Sequence, residues 1–300
     1  LAIEGLLMPA IHTAQFTVRH YECDTYMHLN NANYVRYMEE AAFEASAAVG
    51  YNRVRYTELG SLWLVHETSI EYLRPVVYGD TISVTTWVAD ARRVRSYRMY
   101  EFRKVGDDAV VARASTDWIY LDTASQRPVN IPPEMMSAFV PEGLPAEAAP
   151  RERFLEFPAP PSAPFTMQRR VEWRDIDSAG HVNNAVYFNY IEDVGMQAAR
   201  HFGWPMQRSL AAGFGIMARQ HRIEYKQPAR LDDELLITTW VIPDGRSTAF
   251  RVYTITRPAD GAVIARARSR WVWVDLQTGR PMRIPDDFMA DFAEHIGSAT

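Results

Sequence analysis

The sequence predicts an α+β protein of two tandem units, each a long helix laid on an antiparallel sheet. Three observations predict it. A motif recurs at an offset of 153 residues, each copy holds one helical stretch closed by a glycine, and the rest of each copy is β-branched and alternating. At 300 residues the chain has room for two ordinary domains. Hydrophobic residues at 47% and charged residues at 23% are globular values that exclude a mostly disordered chain.

The repeat fixes the organisation, because a period this long is a duplicated domain rather than a solenoid. The segment from Val18 to Tyr34 recurs from Val171 to Tyr187, so that Asp24 and His28 become Asp177 and His181. The offset holds at Gly50 and Gly203, at Ile70-Glu71-Tyr72 and Ile223-Glu224-Tyr225, and at Trp87 and Trp240. Matching Arg95-Ser96 to Arg246-Ser247 implies a slip of two residues in a hairpin, restored by Trp118 and Trp271. The expected domains are residues 13–140 and 165–295. Residues 141–164, rich in Pro, Ala and Glu, read as an exposed linker. Duplicated domains of this size are expected to pair as an intramolecular pseudo-dimer, alone or within a higher homo-oligomer.

Each unit opens with a short strand, Phe16 to Tyr21 or Thr166 to Trp173. A loop and a helix of about 18 residues follow. Asn30 or Asn31 caps the first helix and Asn183 or Asn184 the second, since an Asn side chain accepts from an amide one turn on. Gly50 and Gly203 stand where a left-handed residue ends a helix. Strands follow at Thr81 to Val88, Tyr97 to Val105 and Val110 to Leu121, with a turn at Gly106-Asp107-Asp108. Their counterparts are Leu235 to Val241, Phe250 to Thr256 and Ala262 to Asp275, giving a four- or five-stranded meander in each unit.

Asp24 and Asp177 precede the helices, His28 and His181 follow four residues later, and Glu71 and Glu224 come from a strand. A carboxylate beside unpaired amides at a helix start is suited to activating water, or attacking directly, while an oxyanion is held. The expected oxyanion amides are Val182 to Asn184, with Asn30 and Asn31 in the first copy. The competing readings are an Asp that caps the helix, a His satisfied in the core and a Glu paired with Arg74 or Arg222. Recurrence of all three polar residues at one offset favours the chemical reading. Arg92, Arg93, Arg95 and Arg98 read as a site for substrate phosphates or as a solvated strand edge. Cys23 is replaced by Ile176 in the second copy, which argues against a cysteine nucleophile.

Asp-x-x-Gly-His-Val-Asn-Asn-x-x-Tyr opening a helix, followed by Ile-Glu-Tyr on a strand, resembles the hotdog-fold thioesterases. The relatives are the 4-hydroxybenzoyl-CoA type and the tandem acyl-ACP type. The resemblance covers both units and implies an acyl-CoA or acyl-ACP thioester substrate, no cofactor, and sites where two hotdogs meet. It matches Asp177, His181 and Glu224 to the Asp, His and Glu of plant-type enzymes, with Ala179 where those carry Asn. In the first copy Met27 replaces Gly180, so that loop is expected to take a different backbone; the second copy is the favoured active site and the first stays open. The rivals are a hotdog hydratase or dehydratase and a non-catalytic acyl-chain binder. The spacing Asp-x-x-x-His differs from the Asp-x-x-x-x-His typical of the hydratases.

Several classes are excluded. There is no Gly-x-Ser-x-Gly elbow, no Walker loop and no metal-ligand spacing among the eight histidines. A net charge of −5 argues against nucleic acid. No apolar run reaches the ~18 residues that span a bilayer. Leu1 to Ala10 lack the basic start of a secretory signal. One cysteine fits a reducing cytoplasm, the expected compartment.

Overall fold

The computed structural model describes residues 10–107, 109–144 and 151–297. Asp108 of the expected turn, residues 145–150 of the expected linker and almost all of the leading segment lie outside them. The chain divides into two compact units between Arg153 and Phe154.

The first unit runs β1 (His12–Thr17), α1 (Asn31–Ala48), α2 (Arg53–Glu58), β2 (Ser61–Tyr72), β3 (Thr81–Arg92), β4 (Arg95–Lys104), β5 (Val110–Asp122) and α3 (Pro133–Phe139). Its five strands are ordered β1-β3-β4-β5-β2, every neighbour antiparallel. The second unit runs β6 (Phe165–Arg170), α4 (Asn184–His201), α5 (Met206–Ala211), β7 (Phe214–Tyr225), β8 (Glu234–Pro243), β9 (Thr248–Arg257), β10 (Ala262–Asp275) and α6 (Asp286–Asp291). Its order is β6-β8-β9-β10-β7, again antiparallel throughout. One long helix on a five-stranded antiparallel sheet, present twice, is the tandem hotdog architecture.

Both long helices have 18 residues. Asn30 caps α1 by accepting from the Ala32 amide at 3.0 Å, and Asn183 caps α4 by accepting from Ala185 at 2.9 Å. Gly50 and Gly203 follow the helix ends with φ of +90° and +83°. Each helix lies against its sheet through small residues and aromatic rings. Ala32, Ala41 and Met38 of α1 are fully buried, and Tyr34 meets Tyr72 of β2 and Phe102 of β4. In α4, Tyr187 meets Tyr225 of β7 and Phe188 meets His221.

Four differences from the sequence reading have physical causes. The opening strands end at Thr17 and Arg170, earlier than expected, because a buried acid then bends each chain into a 3-10 turn, His20–Glu22 or Trp173–Asp175. The slip in the β3–β4 hairpin is absent. Trp87 pairs with Met99 and Trp240 with Val252, so both strands keep the offset of 153, and the matched Arg-Ser dipeptides are coincidental. The short helices α3 and α6 lie beyond what the sequence pattern predicts, and each packs a hydrophobic cluster in its unit. Met135 and Phe139 pack with Tyr51 and Tyr120, and Phe288 and Phe292 with Trp204, Phe214 and Trp273. Finally, the described part of the linker is bound to the units rather than simply exposed. Arg151 pairs with Asp90 and Asp117 of the first unit. In the second, Phe154 is buried beneath the guanidinium groups of Arg222 and Arg266, and Phe157 meets Trp240 edge-on.

Among the described residues no helix is long and apolar enough to cross a membrane. Since each cap satisfies one otherwise orphaned amide, Asn183→Ala and Asn30→Ala should each lower stability by about 1 kcal/mol in denaturant unfolding. No change in either midpoint would show the caps to be dispensable.

Candidate functional site

Each unit carries the same loop between its 3-10 turn and its long helix. In the second, the Asp177 amide donates to His181 O at 3.0 Å, the Gly180 amide donates to Asp177 O at 3.1 Å, and Ile176 bridges Val182. In the first, Asp24 donates to His28 O at 2.7 Å, Met27 donates to Asp24 O at 3.0 Å, and Cys23 bridges Leu29. The backbone closes on itself identically in both, so the side chains at its two ends are presented alike.

The expectation of a different first loop is therefore corrected. Met27 adopts φ +64° and Gly180 φ +80°, both left-handed. Asp24 Oδ1 accepts from the amides of Tyr26 at 2.8 Å and His28 at 3.1 Å, and these bonds hold Met27 in a conformation that costs an L-residue about 1–2 kcal/mol. Gly180 meets nothing within 4 Å of an added Cβ, so its advantage is purely conformational.

The aspartates are not helix caps, since the Asn residues do that work. Asp177 is half-buried, and its Oδ1 accepts from the Ala179 amide at 2.8 Å. Its Oδ2 accepts no hydrogen bond from the described residues. His181, also half-buried, sits with Nδ1 3.8 Å from Asp177 Oδ1 and 3.4 Å from Val182 O. The first distance is too long for a hydrogen bond and short enough for ion pairing when the ring is protonated. His28 is half-buried with its ring 6.5 Å from that of Tyr26.

The expected oxyanion amides are mostly engaged. The Val182 amide donates to Ala229 O and the Asn183 amide to Asp175 O, both at 2.9 Å. In the first unit the Asn30 amide donates to Glu22 O, also at 2.9 Å. The Asn184 amide, first in α4, has no partner among the described residues, and Asn31 occupies its place in α1. The reason is topological: the loop must be tied down at both ends, and the amides adjoining the helix do the tying.

Within each unit the glutamate is not brought to its aspartate. Side chains alternate along a strand. In β7, His221 and Tyr225 face α4, the Tyr225 hydroxyl donating to Asn184 O at 3.1 Å. Glu224 therefore takes the opposite face of the sheet. There it is buried, its Oε1 2.6 Å from Lys226 and its Oε2 2.8 Å from Arg266, the residue opposite it in β10. Arg266 and Lys226 are thus partners of Glu224 that the sequence did not single out. Glu71 is likewise opposite Arg113 in β5, while its neighbour Tyr72 meets α1.

The arginine cluster is largely engaged within its own sheet, not left unpaired. Arg92 pairs with Asp90 at 3.3 Å, and Arg95 grips both oxygens of Asp117 through Nε and Nη2. Arg98 is 6% exposed, bonded to Thr86 and set over the Phe139 ring. Nor is it a strand edge, because β4 lies between β3 and β5. Arg93 makes the turn, with φ +49°.

Burial pushes the Glu224 carboxyl up, but Lys226 and Arg266 outweigh it and hold it below its ordinary value of 4.5. A depressed folded value adds stability above the unfolded value and loses it as pH falls through the folded one. Glu224→Gln should therefore cost about 2 kcal/mol at pH 7, the worth of hydrogen bonds to a charged group, and much less well below pH 4.5. Denaturant unfolding across pH checks this, and a cost that does not shrink in acid contradicts it.

The sequence profile described as the thioesterase-like superfamily matches the chain twice, over residues 18–139 and 171–292. A chloroplastic acyl-[acyl-carrier-protein] hydrolase of Cuphea viscosissima is 20% identical over 269 residues, which are 85% of this chain and 61% of that protein. The chain thus spans less than two thirds of that relative's length. The acyl-CoA thioester hydrolase YbgC of Escherichia coli is 29% identical over 131 residues, 43% of this chain and 96% of that protein. Among solved structures, a 12:0-ACP thioesterase from Umbellularia californica has a TM-score of 0.73 at 18% identity, over 91% of this chain and 95% of that one. An acyl-ACP thioesterase from Bacteroides thetaiotaomicron has a TM-score of 0.68 at 18% identity, over 87% of this chain and 98% of that one. Both solved structures share the fold.

Proposed function

Because the chain belongs to the thioesterase-like superfamily, we propose that it hydrolyses acyl thioesters of CoA or acyl carrier protein, with Asp177 as the reacting carboxylate. The observation that carries this is the state of Asp177. One oxygen is fixed to its own loop by the Ala179 amide, and the other accepts no hydrogen bond from the described residues, in the loop that leads into α4. A carboxylate so held has its direction set without its second oxygen being consumed.

A thioester asks for little more. Its thiol leaves with a pKa near ~8.5, so strong acid assistance is unnecessary. Asp177 Oδ2 either takes a proton from water as that water attacks the carbonyl carbon, or attacks the carbon itself, water then cleaving the mixed anhydride. In both routes the carbonyl oxygen becomes negative. In this scheme the Asn184 amide, at the positive end of α4, donates to it. His181 carries the proton to the departing thiolate. Glu224, across the sheet and neutralised by Arg266 and Lys226, supports the strand in this scheme rather than the reaction. Asp24 and His28 form the corresponding pair in the first unit, and the shared loop backbone supports a second reacting centre there.

Relatives of both kinds, one acting on acyl-ACP and one on acyl-CoA, support a substrate recognised by its thioester rather than by its carrier. The reading places the protein in the cytoplasm, where its lone Cys23 stays reduced.

Release of free thiol from a panel of acyl-CoA and acyl-ACP substrates is the test. Asp177→Asn should lower kcat by about 100- to 10,000-fold with KM little changed. Asp24→Asn, measured alongside, reports what the first unit contributes. An enoyl-CoA that gains water without releasing thiol would replace this reading with hydration. Binding without turnover of any thioester, by wild type and Asp177→Asn alike, would replace it with a binder.

A further inference from the structure

Two residues before each loop aspartate lies a second acid, Glu22 in the first unit and Asp175 in the second, that a search for identical residues passes over. Both are buried, 6% and 5% exposed. Asp175 Oδ2 accepts from the Tyr190 hydroxyl at 2.7 Å and from the Glu172 amide at 3.0 Å. Glu22 Oε2 accepts from the Tyr37 hydroxyl at 2.7 Å and from the Arg19 amide at 2.8 Å. The tyrosines are repeat equivalents, and their surroundings differ. The Tyr37 ring stacks on Phe16 at 4.5 Å, while the Arg169 guanidinium lies 4.2 Å over Tyr190. The acid side chain differs by a methylene and the ring's neighbour is exchanged, yet the phenol–carboxylate distance is the same. The bond itself is what both units keep.

Its place explains why. A buried carboxylate is costly unless hydrogen-bonded. Here it is bonded to the helix more than a turn beyond its start, and its own backbone carbonyl accepts the Asn183 amide that closes the loop. Only Ile176 separates Asp175 from Asp177. Its amide donates to Trp173 O and the Asp177 amide to His181 O, so the connection has no slack. Burial, and then the acid itself, push the Tyr190 hydroxyl up, so it remains a donor at neutral pH. The first unit adds a further tie, the Asn33 side chain donating to Glu22 O at 2.9 Å.

We propose that Tyr190 and Asp175 are positioning residues that fix the Asp177 loop against α4, and that Tyr37 and Glu22 do the same for Asp24. The proposal rests on the reading of Asp177 as the reacting carboxylate for its kinetic consequence, and on the loop geometry alone for its mechanical one.

The experiment pairs kinetics with amide hydrogen exchange on the full chain. In Tyr190→Phe, kcat for a saturated acyl-CoA should fall about 10- to 100-fold with KM within about twofold, the cost of a misplaced reacting group. The amides of Asp177 and Gly180 should exchange at least about tenfold faster while those of β10 keep their protection. Asp175→Glu, which recreates the Glu22–Tyr37 pair, should keep kcat within about threefold of wild type. Unchanged kcat and unchanged loop exchange in Tyr190→Phe would overturn the proposal. So would loss of protection in β10 together with the loop, which marks a merely structural bond, or loss of turnover in Asp175→Glu equal to that in Tyr190→Phe. If wild type hydrolyses no thioester, the exchange result alone decides the mechanical claim, and the hydrolase reading fails separately.

Discussion

The amide of Asn183 donating to the carbonyl of Asp175, with its twin between Asn30 and Glu22, is the interaction on which each unit's functional region depends. It pins the two ends of a seven-residue loop together at the foot of a long helix. From that pin the rest follows. The loop has to reverse sharply within a few residues, which demands a left-handed residue at its tip. The reversal turns the aspartate's own carboxylate back onto the loop amides. The helix then begins at a fixed point beyond the pin, at Asn31 or at Asn184. A general requirement of polypeptides, that every buried amide find an acceptor, here decides which amides of the loop are engaged.

Much of this was legible in the residues. The repeat showed two domains, the asparagines gave the caps, and β10 was delimited from pattern alone as Ala262 to Asp275. What stayed hidden has a common physical cause, namely that pattern matching sees identity and not tertiary bonding. Glu22 and Asp175 differ in name and perform one bond. Met27 and Gly180 differ in name and share one conformation, because the loop's hydrogen bonds overrule the preference of a side chain. In the opposite direction, Arg95-Ser96 and Arg246-Ser247 are alike in name and unrelated in place.

Glu71 and Glu224 show the limit from another side. Their recurrence with Asp and His was real, and recurrence alone cannot say which face of a sheet a strand residue takes. Alternation from Tyr72 and Tyr225, which meet the helices, settles it once the helix contacts are seen. The arginines of the β3–β4 hairpin likewise looked like an unpaired cluster because their acids, Asp90 and Asp117, are remote in sequence from some of them and come together only through the sheet.

The way the linker is shared out between the units has a practical corollary for dissecting the protein. Arg151 is ion-paired to the first sheet, whereas Phe154, Glu156 and Phe157 are fastened to Arg266 and Trp240 of the second. A gene divided at the composition boundary near residue 165 would strip the second half of an aromatic cover and leave Arg266 short of a carboxylate. Divided between Arg153 and Phe154, each half would carry its own fastening with it.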